Sequence, residues 1–363
     1  MRTLAAAAVA GLTTALLAAP GVSGAVPAET PNHTGRVHIT DARLGSDRVT
    51  ATIHWDRGSL RRHTSDDGLA VWVGALSRSG RATTIVAVRQ QGALTRHGTS
   101  EVSLRIPQRV RKTVARAPQI LISATQTVVP HGGASGSRVG VAVESLRGPA
   151  PSGRNCSTVR TARGSQSRGC AFYGAQLTGV DLSGTDLRLA HLAGARLRQS
   201  SLVGADLRHA IAPDLASFET DLTATVANGA DLRGLRTKQT TLNDIRLNGA
   251  NLSRAALRTS VLSGAQIRGA SLTRATWNRL TATQTDFSRA GLRRLDASRV
   301  DLTGVTLAQA DLRQATFRRA LLADANLLDA RLARVTWTDT ILSGATWIDG
   351  RVCGTPSIDR CAP

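Results

Sequence analysis

The sequence predicts an all-β protein in which a four-sided coil of about nine turns follows a small antiparallel β-sandwich-like domain. Three observations predict it. A five-residue register runs from Phe172 to Trp347, alternating apolar segments precede it, and two close cysteine pairs flank it. Each part is taken below in chain order.

Arg2 precedes an apolar run from Leu4 through Ala19, and Val22-Ser23-Gly24-Ala25 places small residues where a leader is cleaved. Residues 1–25 are therefore expected to be a signal peptide. The run is too short and too Ala-rich to be read as a membrane span, no second stretch reaches spanning length, and no lipidation cysteine lies near the start. The expected destination is secreted or extracellular, including cell-wall association. The leader and the Arg/Ala-rich composition look bacterial.

Residues 26–146 read as the β-sandwich-like domain. Val37 to Ile39, Val49 to Trp55, Leu69 to Leu76, Thr83 to Val88, Val102 to Ile106, Ile120 to Val128 and Val139 to Val143 each suit a strand. Their number and spacing suggest an antiparallel sandwich of immunoglobulin-like shape. Pro130 through Gly136 reads as a turn, and Arg147 to Arg154, rich in Pro, Gly and Ser, as a linker. Residues 147–170 then form the linker and a stapled cap, and residues 351–363 the cap at the other end.

The four cysteines are Cys156, Cys170, Cys353 and Cys361. Three pairings are open, and proximity favours Cys156 with Cys170 and Cys353 with Cys361. Coil ends present unpaired backbone edges, so a pinned loop at each end has a physical purpose. A metal site is the competing reading. Neither pair has CxxC spacing, and no histidine lies beside the second pair.

From 171 to 350 a centre recurs every five residues, as in Leu177, Leu182, Leu187, Leu192, Leu197, Leu202 and Leu207. The same phase holds Leu232, Leu252, Trp277, Phe317, Trp337 and Trp347, which are expected in the core. Small or β-branched residues such as Ala175, Val180 and Thr185 lie two before each centre. Helices want apolar residues at three and four, and strands want alternation, so neither accounts for this period. A coil of twenty residues with four five-residue sides does, with coils stacked roughly 4.8 Å apart. Leu215, Leu235, Leu280 and Leu295 are large where small residues are usual, and Ser217, Thr237, Ala282 and Ala297 follow as small or short centres. That is an exchange of volume between two inward positions. Ile245 before Leu247 lacks it.

Ala205-Asp206-Leu207, Ala230-Asp231-Leu232, Ala250-Asn251-Leu252, Ala310-Asp311-Leu312 and Ala325-Asn326-Leu327 resemble the A(D/N)LXX motif of the pentapeptide-repeat family. The resemblance implies a right-handed quadrilateral β-helix, in which the Asp or Asn before a centre hydrogen-bonds around the turn. Some members mimic duplex DNA with an acidic surface and inhibit topoisomerases; this chain departs from them in sign and compartment.

Net charge is +21, and residues 26–170 hold 21 basic and 8 acidic residues against 22 and 16 in 171–350. Such charge suits anionic envelope polymers, phospholipid surfaces or nucleic acid. Nucleic-acid binding is the weaker reading, because Arg61-Arg62, Arg109 to Lys112 and Arg293-Arg294 lack interleaved aromatics. Solubilising charge is the simpler account of those clusters. Counting sides from the one centred on Phe172, the second carries Arg198, Lys238, Arg258 and Arg318 just after its centres and Arg279, Arg299 and Arg319 one further. The third has Ser183, Val203, Thr223, Asn243, Ser263, Thr283, Thr303, Ala323 and Ser343 in the first of those places. Side two is therefore a candidate anion-binding face, and side three a flat docking or self-association face; ordinary variation of outward residues is the plainer alternative.

No GxSxG elbow, HExxH helix, Walker loop or dinucleotide fingerprint occurs, and no cofactor is implied. His191 and His209 lack an evident partner in the sequence. His54, Asp56, His63, Asp66 and Asp67 are the densest polar group of the first domain. The expectation is a non-enzymatic secreted scaffold or binding protein that presents a rigid surface to an anionic envelope component or a protein. The alternatives are a hydrolase or a metal- or ligand-binding activity in the N-terminal domain, and direct nucleic-acid binding.

Overall fold

The computed structural model describes residues 34–58, 68–78, 80–91, 97–128, 138–151, 156–160 and 166–362. The expected signal peptide, the turn at 130–136, Arg61-Arg62, His63, Asp66 and Asp67 lie outside the described residues.

Seven strands form where the apolar segments predict them: β1 Thr34–Leu44, β2 Arg48–Gly58, β3 Gly68–Leu76, β4 Ala82–Gln91, β5 His97–Arg105, β6 Gln119–Val128 and β7 Arg138–Arg147. They pair antiparallel in two sheets, β1-β2-β5 and β4-β3-β6-β7. In chain order they fill the A, B, C, C′, E, F and G places of an immunoglobulin-like sandwich. Alternation buries Val37 and Ile39 of β1, Val49, Ala51 and Ile53 of β2, and Val102 and Leu104 of β5 against Leu69, Val71 and Val73 of β3.

Two elements depart from the expectation. A short helix, α1 (Arg111–Arg116), holds Arg111 and Lys112 of the basic cluster between β5 and β6 and buries only Val114. Cys156–Arg160, expected in the linker and cap, is strand β8, which pairs with β7 and widens the second sheet to five strands. Val139 and Val141 of β7 find partners in Val159 and Cys156. Pairing with an exposed edge overrides the loop-like composition around this segment.

The second half is a solenoid. Short strands β9 to β17, from Gln176–Thr178 to Thr336–Thr338 at twenty-residue intervals, make a nine-stranded parallel sheet along side two. Sides one, three and four stack through single bridges with the same twenty-residue step, such as Asp181↔Ser201 and Asp206↔Val226. Leu182 N–H donates to the Ser201 carbonyl at 2.7 Å, and Ser201 N–H to the Val180 carbonyl at 2.9 Å, so the ladder runs in both directions. At most corners the second residue after the centre takes a left-handed conformation, as at Asp244 (φ 56°) and Arg254 (φ 62°).

Leu182, Leu202, Leu232, Leu252, Trp277 and Phe317 are buried as expected. The paired volumes are also buried: Leu215 with Ser217, Leu235 with Thr237, Leu280 with Ala282 and Leu295 with Ala297. Register places Ala297 between Trp277 and Phe317 on neighbouring strands, and Phe317 stacks on Trp337 with ring centroids 4.7 Å apart. Several buried hydroxyls donate to a carbonyl of the coil below, as when Thr225 and Thr285 Oγ1 donate to the Leu202 and Leu262 carbonyls, both at 2.8 Å.

Trp337 and Trp347, also expected in the core, are only half-buried. For Trp337 the reason is the shape of the C-terminal cap, and Trp347 packs on that half-covered ring, with centroids 6.4 Å apart. Residues after 350 hydrogen-bond Leu342, Gly344, Ala345 and Trp347 on sides three and four, while Leu332, Val335 and Trp337 on sides one and two have no further coil above them. Cys353 bonds Cys361 within this cap, and Cys156 bonds Cys170 at the other end.

The N-terminal end is closed by the sandwich itself. Leu69, Val71, Val73 and Ala75 of β3 face the sandwich core, whereas Trp72, Leu76, Leu121, Val139, Val141 and Val143 join one continuous core with Cys170, Ala171 and Phe172. All nine residues of β3 are consequently buried. Trp72 Nε1 donates to Thr84 Oγ1 at 3.0 Å, and its ring lies so close to Gly174 (φ 60°) that a Cβ there would collide with it.

Candidate functional site

The same tripeptide behaves differently on different sides of the coil. In each Asp-Leu-Xaa the aspartate, just before the centre, aims Oδ1 at the backbone N–H two residues on. On sides one and four Xaa is arginine, which folds back onto the carboxylate. Arg233 Nη2 lies 2.6 Å from Asp231 Oδ2, and Arg313, Arg188 and Arg208 each lie 2.7 Å from Asp311, Asp186 and Asp206. A second donor, Nε, makes each pair bidentate. The Arg188 and Arg313 guanidinium groups hold the carboxyls of Asp186 and Asp311 below the usual carboxylate range.

On side three Xaa is serine or threonine. Asp181, Asp221 and Asp301 accept the N–H of Ser183, Thr223 and Thr303 at 2.9, 2.9 and 3.0 Å, with no guanidinium within ion-pair distance among the described residues. The turn is satisfied equally well. The charge is not.

Side two is the flat β9–β17 sheet. Arg198, Lys238, Arg258, Arg279 and Arg299 are exposed along it, and among the described residues none has a carboxylate within ion-pair distance. Arg318 and Arg319 differ from the expectation. Arg318 Nη2 lies 2.6 Å from Asp296 Oδ1, and Arg319 Nε lies 3.7 Å from Asp339 Oδ2, so part of their charge is already answered. Arg196 and Arg236, just before their centres, point outward from the same strands and belong to this face. The five-residue register would have found them, since outward positions lie on both flanks of a centre. A shallow groove of about 430 Å³ crosses the sheet between Arg258 and Arg318, beside Asn278, Asp296 and Ser298.

A second cleft, about 280 Å³, lies where the sandwich meets side one and is lined by Arg81, Arg233, Gly234, Ser253 and Arg254. Arg81, between β3 and β4, grips Asp214 of the solenoid through Nε and Nη2 at 3.2 and 2.9 Å. This cleft is a junction between domains that sequence alone cannot bring together.

Of the polar group of the first domain, the described residues include His54 and Asp56, both on β2. His54 on β2 is held between Thr40 and Thr99, each 3.0 Å from a ring nitrogen. No group of three or more His, Cys, Asp or Glu side chains converges as a metal site among the described residues. His191, unpartnered in the sequence, meets the Tyr173 hydroxyl at 3.0 Å, and burial pushes its pKa below the ordinary value. The separation of eighteen residues, one coil less two, is the signal for that contact.

Residues 170–209, 240–276, 265–304 and 301–336 match the family model described as Pentapeptide repeats, in eight copies. The solenoid is a pentapeptide-repeat domain. Its coils are similar to HetL, a pentapeptide repeat protein involved in heterocyst differentiation regulation from the cyanobacterium Nostoc sp. Strain PCC 7120: 28% identity, 52% of this chain and 90% of that one, TM-score 0.29. They are similar to QnrB1, a plasmid-mediated fluoroquinolone resistance protein, at 17% identity over 41% of this chain and 84% of that one, TM-score 0.27. A pentapeptide repeat protein from the Arabidopsis thaliana thylakoid lumen shares 26% identity over 32% of this chain and 71% of that one, TM-score 0.21. No match is found among curated proteins. Among the described residues, no helix is long and apolar enough to cross a membrane.

Proposed function

We propose that this protein is an exported, non-enzymatic scaffold whose solenoid offers side two to a polyanion of the cell envelope. The observation that carries the reading is the row of exposed cations, Arg198, Lys238, Arg258, Arg279 and Arg299, on a flat sheet and without carboxylate partners among the described residues. Stacked coils space such rows roughly 4.8 Å apart, so an extended anion meets several cations at once. The sandwich anchors the rod from one end and leaves this sheet open. Two disulfides and an apolar leader sequence support an oxidising, extracytoplasmic setting.

Cosedimentation of the protein with anionic phospholipid vesicles and isolated envelope polymer, and mobility shift with duplex DNA, at low and near-physiological salt, tests this. Binding to one partner is expected to persist at the higher salt. Arg198→Ala with Arg258→Ala should weaken it by at least about tenfold, the equivalent of 1.4 kcal/mol. Arg318→Ala should cost less, because Asp296 already holds that guanidinium. Uniform loss of binding with salt, or equal sensitivity to Arg258 and Arg318, would defeat the proposal.

A further inference from the structure

Side three is the only side of the coil with no Lys, Arg or His at any outward position from Asp181 to Gly344, yet it carries five aspartates. Side two carries nine basic and three acidic residues over the same coils. In a chain of net charge +21 this is a sharp partition.

Its local cause is the Asp-Leu-Ser/Thr usage described above, which keeps the turn of Asp181, Asp221 and Asp301 but omits the neutralising arginine. Asp244 and Asp324 extend the same charge to the corner between sides three and four. Both take left-handed φ, of 56°, and lean over a glycine of the next coil; a Cβ at Gly264 would lie 2.5 Å from Asp244 Oδ1. None of the five has a cation within ion-pair distance among the described residues.

Apolar groups sit among these charges. Val261, Leu321 and Ile341 project from side three and are about two-fifths exposed, at 38%, 40% and 38%. Leu321 bridges to Ile341, and Ile341 to Ile358 of the cap, making an exposed apolar stripe at the C-terminal end of the side. Desolvated apolar contact of this kind supplies the affinity that complementary charge orients.

We propose that side three of one molecule docks on side two of a second copy of this chain. Charge complementarity selects that occupant: the acidic side is unlike any other on the rod, and the most basic one is next to it. Both sides are built on the same coil repeat, so two rods laid side by side in register set Asp244, Asp301 and Asp324 level with Lys238, Arg299 and Arg319. Side one, opposite side three, is a poorer acceptor because the sandwich covers its first coils through Trp72 and Arg81. The contact is heterologous. Since the two sides adjoin at a corner of a four-sided coil, each step turns the next rod by about a quarter turn, and the assembly closes on itself instead of running on.

This inference uses the basic side two of the proposed function, and it makes self-association and polyanion binding competitive. Sedimentation velocity of the full exported chain over a range of concentration, at low and high salt, reads the association. A triple variant, Asp221→Asn, Asp244→Asn and Asp301→Asn, should shift its dissociation constant by at least tenfold. Folding is preserved, because Asn251 and Asn326 already occupy the place equivalent to Asp221 and Asp301 and accept the N–H of Ser253 and Leu328 at 3.2 and 3.0 Å, and asparagine tolerates the left-handed conformation of Asp244. Arg198→Gln with Lys238→Gln and Arg258→Gln should do the same from side two. Mixed one to one, the two variants should recover a complex of two chains and no more, since each keeps one competent side.

A wild-type chain that stays monomeric at low salt, or a mixture that fails to pair, would overturn the proposal. So would association surviving in both variants, which would place the contact elsewhere, for instance at the half-covered last coil. The asparagine variant should bind polyanions at least as tightly as wild type, with side two uncovered. Loss of self-association with polyanion binding intact thus separates this inference from the function it rests on.

Discussion

The two ends of the solenoid solve one problem in unequal ways. At the N-terminal end a whole five-stranded sheet lies over the first coil, and Trp72, Leu121 and Val141 are buried with Phe172 in one core. At the C-terminal end a short disulfide-closed segment covers sides three and four, and leaves Leu332, Val335 and Trp337 half-buried on the others. A repeat that stacks on its neighbours has no intrinsic stop, so its stability depends on what meets the terminal coil. Here one end is tied to a second domain, and the other is free to open first.

The largest expected effect comes from removing the N-terminal tie. Trp72→Ala should cost about 3–5 kcal/mol, the range for emptying a fully buried aromatic site. It should also detach the unfolding of sandwich and solenoid, visible as two calorimetric transitions; a single transition with a small loss would mean that the disulfide and the Arg81–Asp214 pair suffice as a tie.

A smaller effect belongs to the other end. Trp337→Ala, at a half-buried place stacked on Phe317, should cost about 1–3 kcal/mol, less than a fully buried aromatic. Hydrogen exchange should rise mainly from Leu332 onward. An equal rise throughout the coils would show that the two ends do not differ as described.

Acid should have the smallest effect and act on both ends alike. The carboxyls of Asp186, near the first coil, and Asp311, near the last, are held below the ordinary carboxylate range, chiefly through their side-chain bonds to Arg188 and Arg313. For such a depressed group the contribution is complete above the unfolded value and is lost as pH falls through the folded value. Stability should therefore be flat in these groups above about pH 5 and decline below about pH 4, by chemical denaturation at each pH. Asp311→Asn should flatten part of that decline.

Much of the architecture was legible because a five-residue register is a strong constraint: one slip would turn Leu182 or Phe317 outward. The seven sandwich strands were legible from alternation. Strand β8 was not, since Cys156–Arg160 gains its conformation by pairing with β7. Nor was the docking of the sandwich on the first coil, although nine consecutive residues of β3 from Gly68 to Leu76 without alternation were a sign of a strand covered on both faces. On side two the sequence located the basic row but not which members were answered. Arg318 and Asp296 are twenty-two residues apart, and only coil stacking brings them to 2.6 Å.

By itself the sequence determined the coil, its four sides and the sign of charge on each, because inward and outward positions follow from periodicity alone. The tertiary structure decided which charges are neutralised, which aromatic residues are fully buried and what closes each end. Those depend on contacts between coils and between domains, where distance along the chain carries no information about distance in space.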